Sequence, residues 1–184
     1  MDIFEENNMI QMFADTFGDG DMFVDKKIEF LEVGDHFEIV GYCGSTKDLI
    51  IPAWYKYKPV TVIRDGAFSG MTEVERLTIG DSLIRIGDGA FSDCTSLRII
   101  NIPGSIKEIG KYAFSGCTAL SSVTIPIGVE AIGERAFGAS CDFVAYCYDK
   151  AKPEGWHELW NSGVGRVKWD TGADINALLD SVFD

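Results

Sequence analysis

Apolar and polar residues alternate along the middle of the chain in short stretches that predict β-strands separated by tight turns. In the stretch that starts at Leu97, apolar residues stand at the first, fourth and sixth places. This spacing predicts a strand with Ile100 and Ile102 facing inward. Ile99 and Asn101 alternate with them and are predicted to face solvent.

The whole pattern recurs with a period of 23 residues. The pair Ala-Phe marks it at Ala67-Phe68, Ala90-Phe91, Ala113-Phe114 and Ala136-Phe137. Since such a period is typical of one supersecondary unit stacked on copies of itself, the sequence predicts a solenoid. We expect the four phenylalanines to form a shared structural core between coils. Gly87, Gly110 and Gly133 also keep the period, and we expect them to relieve the backbone at a tight bend.

The register of Ile, Gly, Ala-Phe, Cys and Ile-Pro resembles the BspA-type leucine-rich repeat over about residues 36–150. Cys94 and Cys117 stand in the cysteine column of that family. The resemblance implies a protein-interaction module that performs no chemistry of its own. Ile51 lies 28 residues before Ile79, so the first unit carries five extra residues, which we place around 54–58.

The predicted fold class is an α+β repeat solenoid: a short right-handed leucine-rich-repeat array of about four to five repeats with terminal caps. We expect an acidic arm and helical cap over 1–35, the solenoid over 36–150, and a Trp-rich cap with an amphipathic helix over 151–184. Apolar residues recur at helical spacing over 8–17 and again over 175–182. These two helices are expected to cover the solenoid ends, and the alternative is that either one binds a partner.

The net charge of −13 is concentrated at the chain ends. Residues 1–38 carry 11 acidic and two basic side chains, whereas residues 39–135 carry ten of each. This balance argues against direct nucleic-acid binding, which needs a basic face, and leaves open a basic protein partner. The chain has no apolar run long enough to span a membrane and no secretory signal pattern. We therefore expect a cytoplasmic protein, or a secreted or surface protein if a leader has been removed.

Residues that could support catalysis or bind a metal are scattered. His36 and His157 lie at opposite ends of the repeats, and no P-loop or nucleophile-elbow motif is present. The acidic run 15–21 resembles the start of a calcium loop, but Phe17 and Lys26 occupy positions that need oxygen ligands. The five cysteines form no CxxC pair and are interpreted as small buried hydrophobes. We predict no catalytic residue, no metal and no cofactor.

Function is therefore expected at the surface, on exposed strand residues or exposed aromatic side chains. The predicted outward ladders are Arg76, Ile99, Ser122 and Ala145, and Thr78, Asn101, Thr124 and Cys147. The aromatic candidates are Trp54, Tyr55 and Tyr57 in the first unit, and Trp156, Trp160 and Trp169 near the carboxyl end.

Three functions fit these features. The favoured one is a non-catalytic protein–protein interaction module, whose partner and oligomeric state the sequence leaves open. The second is a small acidic cytosolic inhibitor, of the kind that phages or mobile elements encode, blocking a basic nucleic-acid-binding site on a host enzyme. The third is a bacterial surface or secreted adhesin.

Overall fold

The computed structural model describes residues 27–138, 143–161 and 166–170, and regular structure there consists of β-strands. The strands are β1 (Ile28–Val33), β2 (His36–Tyr42), β3 (Asp48–Ile51), β4 (Trp54–Tyr55), β5 (Lys58–Ile63), β6 (Arg76–Ile79), β7 (Arg85–Ile86), β8 (Ile99–Asn101), β9 (Glu108–Ile109), β10 (Ser122–Ile125), β11 (Ala131–Ile132), β12 (Val144–Cys147) and β13 (Arg166–Lys168). Within the described ranges, no helix is long and apolar enough to cross a bilayer.

The strands stack into a β-solenoid of about five turns. One side of each turn contributes to a parallel series β2-β5-β7-β9-β11. The other side contributes to two parallel three-stranded sheets, β3-β6-β8 and β10-β12-β13. We call the outward surface of these two sheets the strand face, and the outward surface of the series from β2 to β11 the return face. The solenoid and its repeat number are as predicted. The α component of the predicted fold class is not supported, because the described residues contain no helix.

The extra residues of the first unit form a hairpin. Asp48 pairs with Arg76 and Ile51 with Ile79, which is the 28-residue offset read from the sequence. Between these strands, β4 turns back antiparallel onto β5 through Lys56 and Tyr57, at φ 46° and 63°. Two consecutive residues with positive φ are typical of the type I′ turn that joins two-residue hairpins. The insertion therefore leaves the stacking register of the later coils unchanged.

A continuous aromatic stack runs through the core. Phe68, Phe91, Phe114 and Phe137 are buried and stack in order, with ring centroids 5.0, 5.3 and 5.2 Å apart and interplanar angles of 10° or less. Each coil contributes one ring, so each ring contacts the coils on both sides. The stack continues onto Phe143, whose ring centroid lies 5.6 Å from that of Phe137, and Trp160 lies edge-on to Phe137 at 5.9 Å. The same columns that repeat in the sequence thus form one contiguous core.

The amino-terminal end of the described solenoid is closed by a hairpin. Strand β1 pairs antiparallel with β2, so residues 28–33 of the predicted acidic arm belong to the same sheet as the repeats. Phe30 stacks on Tyr55 at 4.0 Å and covers the first coil. The predicted helix over 8–17 lies outside the described residues, as does the predicted helix over 175–182.

Arg64 occupies the place where later coils have Gly87, and its side chain has a partner there. Its guanidinium donates to Glu38 on the neighbouring strand β2. This hydrogen bond holds the pKa of the Glu38 carboxyl below its ordinary 4.5. A carboxyl whose pKa falls on folding stabilises the folded state above its unfolded pKa, and the contribution is lost as the pH falls through the folded pKa.

Glu38→Gln should therefore lower the melting temperature at pH 7. The difference from the wild type should shrink as the pH is taken below 4.5. Thermal melts followed by circular dichroism between pH 7 and pH 3 measure this, with the exposed Glu154→Gln as the control variant. If the melting temperature of Glu38→Gln lies below that of the wild type by the same amount at pH 7 and at pH 3, the pairing of Glu38 with Arg64 is contradicted.

Candidate interaction surface

The strand face presents two columns of outward side chains that cross the coils. In one column Asp48, Arg76 and Ile99 are direct neighbours on β3, β6 and β8. In the other column Ile50 is followed in the same way by Thr78 and Asn101. Inward residues between them are buried, because side chains alternate between the two sides of a strand.

The two columns continue on the second sheet. Ser122 and Thr124 are exposed on β10 and pair with Val144 and Tyr146 of β12. Arg166 and Lys168 of β13 complete the columns at the carboxyl end of the described solenoid. The surface therefore carries mainly small polar side chains at its centre and larger or charged ones at both ends.

Six of the predicted candidates lie on this face with their side chains outward. They are Arg76, Thr78, Ile99, Asn101, Ser122 and Thr124. Ile99 keeps 59% of its surface exposed, although it is a large apolar side chain. Ile50, in the other column and two strands away on β3, is 53% exposed and was missed by the sequence analysis. The 28-residue offset of the first unit would have revealed Ile50, because Ile50 pairs with Thr78.

The predicted ladders were wrong in the last coil. Ala145 and Cys147 were expected to face outward, but both are completely buried. The outward residues are Val144 and Tyr146, since β12 pairs with β10 one residue earlier than the 23-residue period requires. A shift of one residue exchanges the inward and outward sides of a strand, and this explains the error.

The aromatic candidates divide into buried and exposed groups. Trp156 and Trp160 were proposed as binding residues, but they are 2% and 3% exposed and pack edge to face at 5.2 Å. The indole of Trp156 also donates to the carbonyl of Val129. These two side chains close the core and are not available to a partner, which corrects the prediction.

The first-unit aromatics lie at the β4–β5 hairpin. Trp54 and Tyr57 are 58% and 67% exposed, whereas Tyr55 turns inward onto Phe30 and Phe37. The exposed pair lies beside the amino-terminal end of the described solenoid. Trp54 and Tyr57 therefore remain candidates for a contact separate from the strand face.

The cysteines of the repeats are placed inside the solenoid. Cys94 and Cys117 are buried and donate to the carbonyls of Phe68 and Phe91, one coil back. The neighbouring Cys94 thiol and burial both raise the pKa of Cys117. Burial raises the pKa of Cys147 to about 12. Cys43 is exposed.

Alkylation of the native chain should therefore discriminate between these thiols. At pH 8 we expect iodoacetamide to modify Cys43 at least about 100-fold faster than Cys94, Cys117 or Cys147, because the latter three thiols are buried and the reagent needs an accessible thiolate. Peptide mapping by mass spectrometry gives the rate at each site, and urea-unfolded protein gives the fully accessible control. Rapid native modification of Cys117 would be inconsistent with the described core.

No arrangement of three or more metal-binding side chains is found in the part of the chain that the structure describes. His36 lies against Asp35 and Glu38, and His157 accepts from the amide of Leu159 at the far end. The two histidines therefore do not meet.

Stacked short strands, a repeated core column and outward ladders define a leucine-rich-repeat solenoid. The model for the BspA type Leucine rich repeat region (6 copies) matches residues 37–147. The chain belongs to this family, as its sequence pattern indicated.

Solved structures of bacterial leucine-rich repeat proteins have a similar fold. The T. pallidum leucine-rich repeat protein is 25% identical with a TM-score of 0.65, and the match covers 76% of this chain and 62% of that one. A leucine-rich repeat protein from Bacteroides ovatus is 31% identical with a TM-score of 0.62, covering 80% and 41% respectively. A leucine rich cell surface protein from Faecalibacterium prausnitzii, at 20% identity and a TM-score of 0.65, shares the fold, with 82% and 40% covered.

The chain thus spans less than two thirds of the length of these three proteins. A comparison with curated proteins gave no significant match.

Proposed function

We propose that the chain is a non-catalytic protein-interaction module that binds a protein partner through the strand face. The observation that carries the proposal is the exposure of Ile50 and Ile99 on a face that otherwise presents small polar side chains at its centre and larger or charged ones at its ends. Ile50 and Ile99 occupy different columns on either side of β6, so a partner can cover both at once. Removing exposed apolar surface from water favours association with a partner.

The sheet beneath these side chains supports the proposal. β3, β6 and β8 are joined by parallel backbone hydrogen bonds, and Leu49 and Leu77 anchor them to the core. A surface held in its binding geometry loses little conformational entropy when a partner docks. The Arg76 guanidinium is also fixed by two hydrogen bonds to Asp48.

A binding role fits the scattered titratable side chains better than catalysis does. General acid–base chemistry requires groups within hydrogen-bonding reach of one reacting atom. His36 and His157 belong to opposite ends of the solenoid, and the strand face between them presents Thr78, Asn101 and Thr124. We therefore include the absence of enzymatic activity in the proposal.

The proposed function is compatible with two cellular locations. The sequence favours the cytoplasm, whereas the Faecalibacterium prausnitzii protein with this fold is described as a cell surface protein. Protease treatment of intact source cells distinguishes these locations, because only a surface protein is digested. The inhibitor alternative rests on the acidic chain ends, and no contact of the described residues favours it.

Site-specific photo-crosslinking tests the proposed face. A benzophenone amino acid is placed at Asn101 on the strand face and, in a matched variant, at Glu108 on the return face. Irradiation of source-cell extract should give a discrete protein adduct only from position 101. Equal adducts from both positions, or none from position 101, would rule out the strand face as the binding surface.

Two matched substitutions test the apolar contact itself. Ile99→Ser should weaken binding of the captured partner by at least about five-fold, the scale of a contributing interface residue. Ile84→Ser removes an isoleucine of similar exposure, 46%, that precedes the return-face strand β7, and should leave binding unchanged. Circular dichroism verifies that both variants are folded.

A further inference from the structure

The carboxylates of the strand face are already paired with bases. Asp48 accepts from Arg76, with a distance of 2.7 Å between Nη2 and Oδ2. Glu75, at the margin where β6 begins, lies 2.9 Å from the ammonium group of Lys47. Within each pair the acidic and the basic side chain neutralise each other. The strands of the first sheet therefore present no unpaired carboxylate to a partner.

Three exposed cations on or beside this face form no ion pair of 4 Å or less with a carboxylate among the described residues: Arg98, Arg166 and Lys168. Arg98 precedes β8, and its charge helps to lower the pKa of Glu75. Arg166 and Lys168 are exposed on β13, where the Lys168 ammonium lies 5.1 Å from the ring centroid of Tyr146. The strand face is therefore positive, although the whole chain has a net charge of −13.

The return face carries a groove whose lining has the opposite sign. An open groove of about 500 Å³ crosses its later coils, and the acidic side chains that line it outnumber the basic ones. The acidic residues are Asp88, Glu108, Glu134 and Glu154, and the basic residues are Arg85 and Lys111. The two sides of the solenoid thus present different charges to a partner, and only the strand face combines positive charge with exposed apolar side chains.

We propose that the partner of the strand face is an acidic protein segment. Its carboxylates pair with Arg98, Arg166 and Lys168, and its apolar side chains cover Ile50 and Ile99. This inference rests on the proposed function and adds the chemistry of the partner to it. Complementary charge of this kind raises association rates and selects between partners.

The strand spacing sets a length scale for this segment. Arg98 and the β13 cations are separated by three strand steps, and a step is about 4.8 Å. The distance of about 14 Å corresponds to four or five residues of extended chain. An acidic segment with carboxylates four or five residues apart therefore fits the positions of these cations.

A protein segment fits this face better than a nucleic acid does. Proteins that bind a phosphate backbone commonly neutralise about 6–10 phosphates, and the strand face offers three unpaired cations. Ile99 directly follows Arg98 and is 59% exposed, and an exposed apolar side chain gives a phosphate backbone no favourable contact.

Defined probes test the inference on the full chain. Fluorescein-labelled 15-residue peptides carry Glu at every fourth position with Leu and Phe between, and twin peptides carry Lys instead of Glu. A 15-nucleotide single-stranded DNA serves as the polyphosphate probe. We expect the acidic peptides to bind at 50 mM salt at least about ten-fold more tightly than either other probe.

Charge reversal locates the binding. Arg166→Glu/Lys168→Glu should weaken acidic-peptide binding about ten-fold, and Arg98→Glu provides a second variant if the double substitution impairs folding. Lys107→Glu/Lys111→Glu, which reverses the same number of charges on the return side, should have no effect. Equal loss in both double variants, tighter DNA binding, or equal binding of the Lys twins would overturn the inference.

The outcomes separate this inference from the proposed function. If position 101 crosslinks to a partner but the acidic peptides bind no more tightly than the other probes, the proposed binding face stands. Only the inference that the partner segment is acidic is then wrong. A partner adduct that maps to a neutral or basic segment also overturns the inference alone. An intramolecular adduct with residues 1–26 would make the chain's own acidic end the occupant and overturn both proposals.

Discussion

Phe114→Ala should lower the free energy of unfolding by about 3–5 kcal/mol, the usual cost of replacing a buried phenylalanine by alanine. The Phe114 ring is fully buried and stacks on Phe91 at 5.3 Å and on Phe137 at 5.2 Å. Its loss opens a cavity between coils and breaks the aromatic stack at its middle. Because a solenoid derives its stability from contacts between neighbouring coils, the cavity weakens two interfaces at once.

Urea denaturation followed by circular dichroism measures this loss. Ile127→Ala is the matched control, because Ile127 is an apolar side chain that is 68% exposed, and we expect a change within about 0.5 kcal/mol. A Phe114→Ala protein as stable as this control would show that the stacked rings do not hold the coils together. Loss of cooperativity in the transition, with one half of the array unfolding first, would agree with the loss of a central interface.

Gly110→Ala should destabilise the chain by about 3 kcal/mol or more, at the upper end of the usual cost of overpacking. A Cβ at this position would lie 2.5 Å from a carboxylate oxygen of Asp88, 2.6 Å from the amide nitrogen of Asp88 and 2.6 Å from the carbonyl carbon of Gly87. Two of these three atoms are backbone atoms of the preceding coil, so the neighbour cannot move aside by changing a rotamer. The added methyl group would push two coils apart.

Gly104→Ala is the matched control for this substitution. No heavy atom lies within 4 Å of the Cβ that it would add, and the residue does not have a positive φ. Thermal melts of the two variants should therefore differ widely although the chemical change is the same. If Gly110→Ala melts together with Gly104→Ala, the close approach of the coils is not what requires glycine.

The glycine column shows how a correct pattern can have a different physical cause. Gly87, Gly110 and Gly133 were expected to supply freedom at a tight bend, yet none of them has a positive φ. Positive φ occurs instead at Gly66, Gly89, Tyr112 and Arg135, two residues later in each unit. The repeat marks where glycine recurs, but only the distance to the next coil shows why.

The surface was harder to predict than the core. Phe68 and its equivalents repeat in the sequence because each fills the same space between coils. Arg166 and Lys168 follow no repeat column, and only the pairing of β13 with β12 brings them to the strand face. Trp156 and Trp160 were assigned to the surface because composition alone does not distinguish an exposed indole from one that closes a core.

The sequence by itself determined the 23-residue period, the alternation of inward and outward residues in the regular coils, and the family. Each coil makes the same contacts with the next one, so the residues that make those contacts recur in the sequence. The tertiary structure alone decided which side of β12 faces outward, since a one-residue shift in pairing leaves no mark on composition. It also decided that Arg166 and Lys168 lie on the strand face, because β13 pairs with β12. Strands from different turns become neighbours only in the folded solenoid. The net charge of a surface depends on which strands lie side by side there.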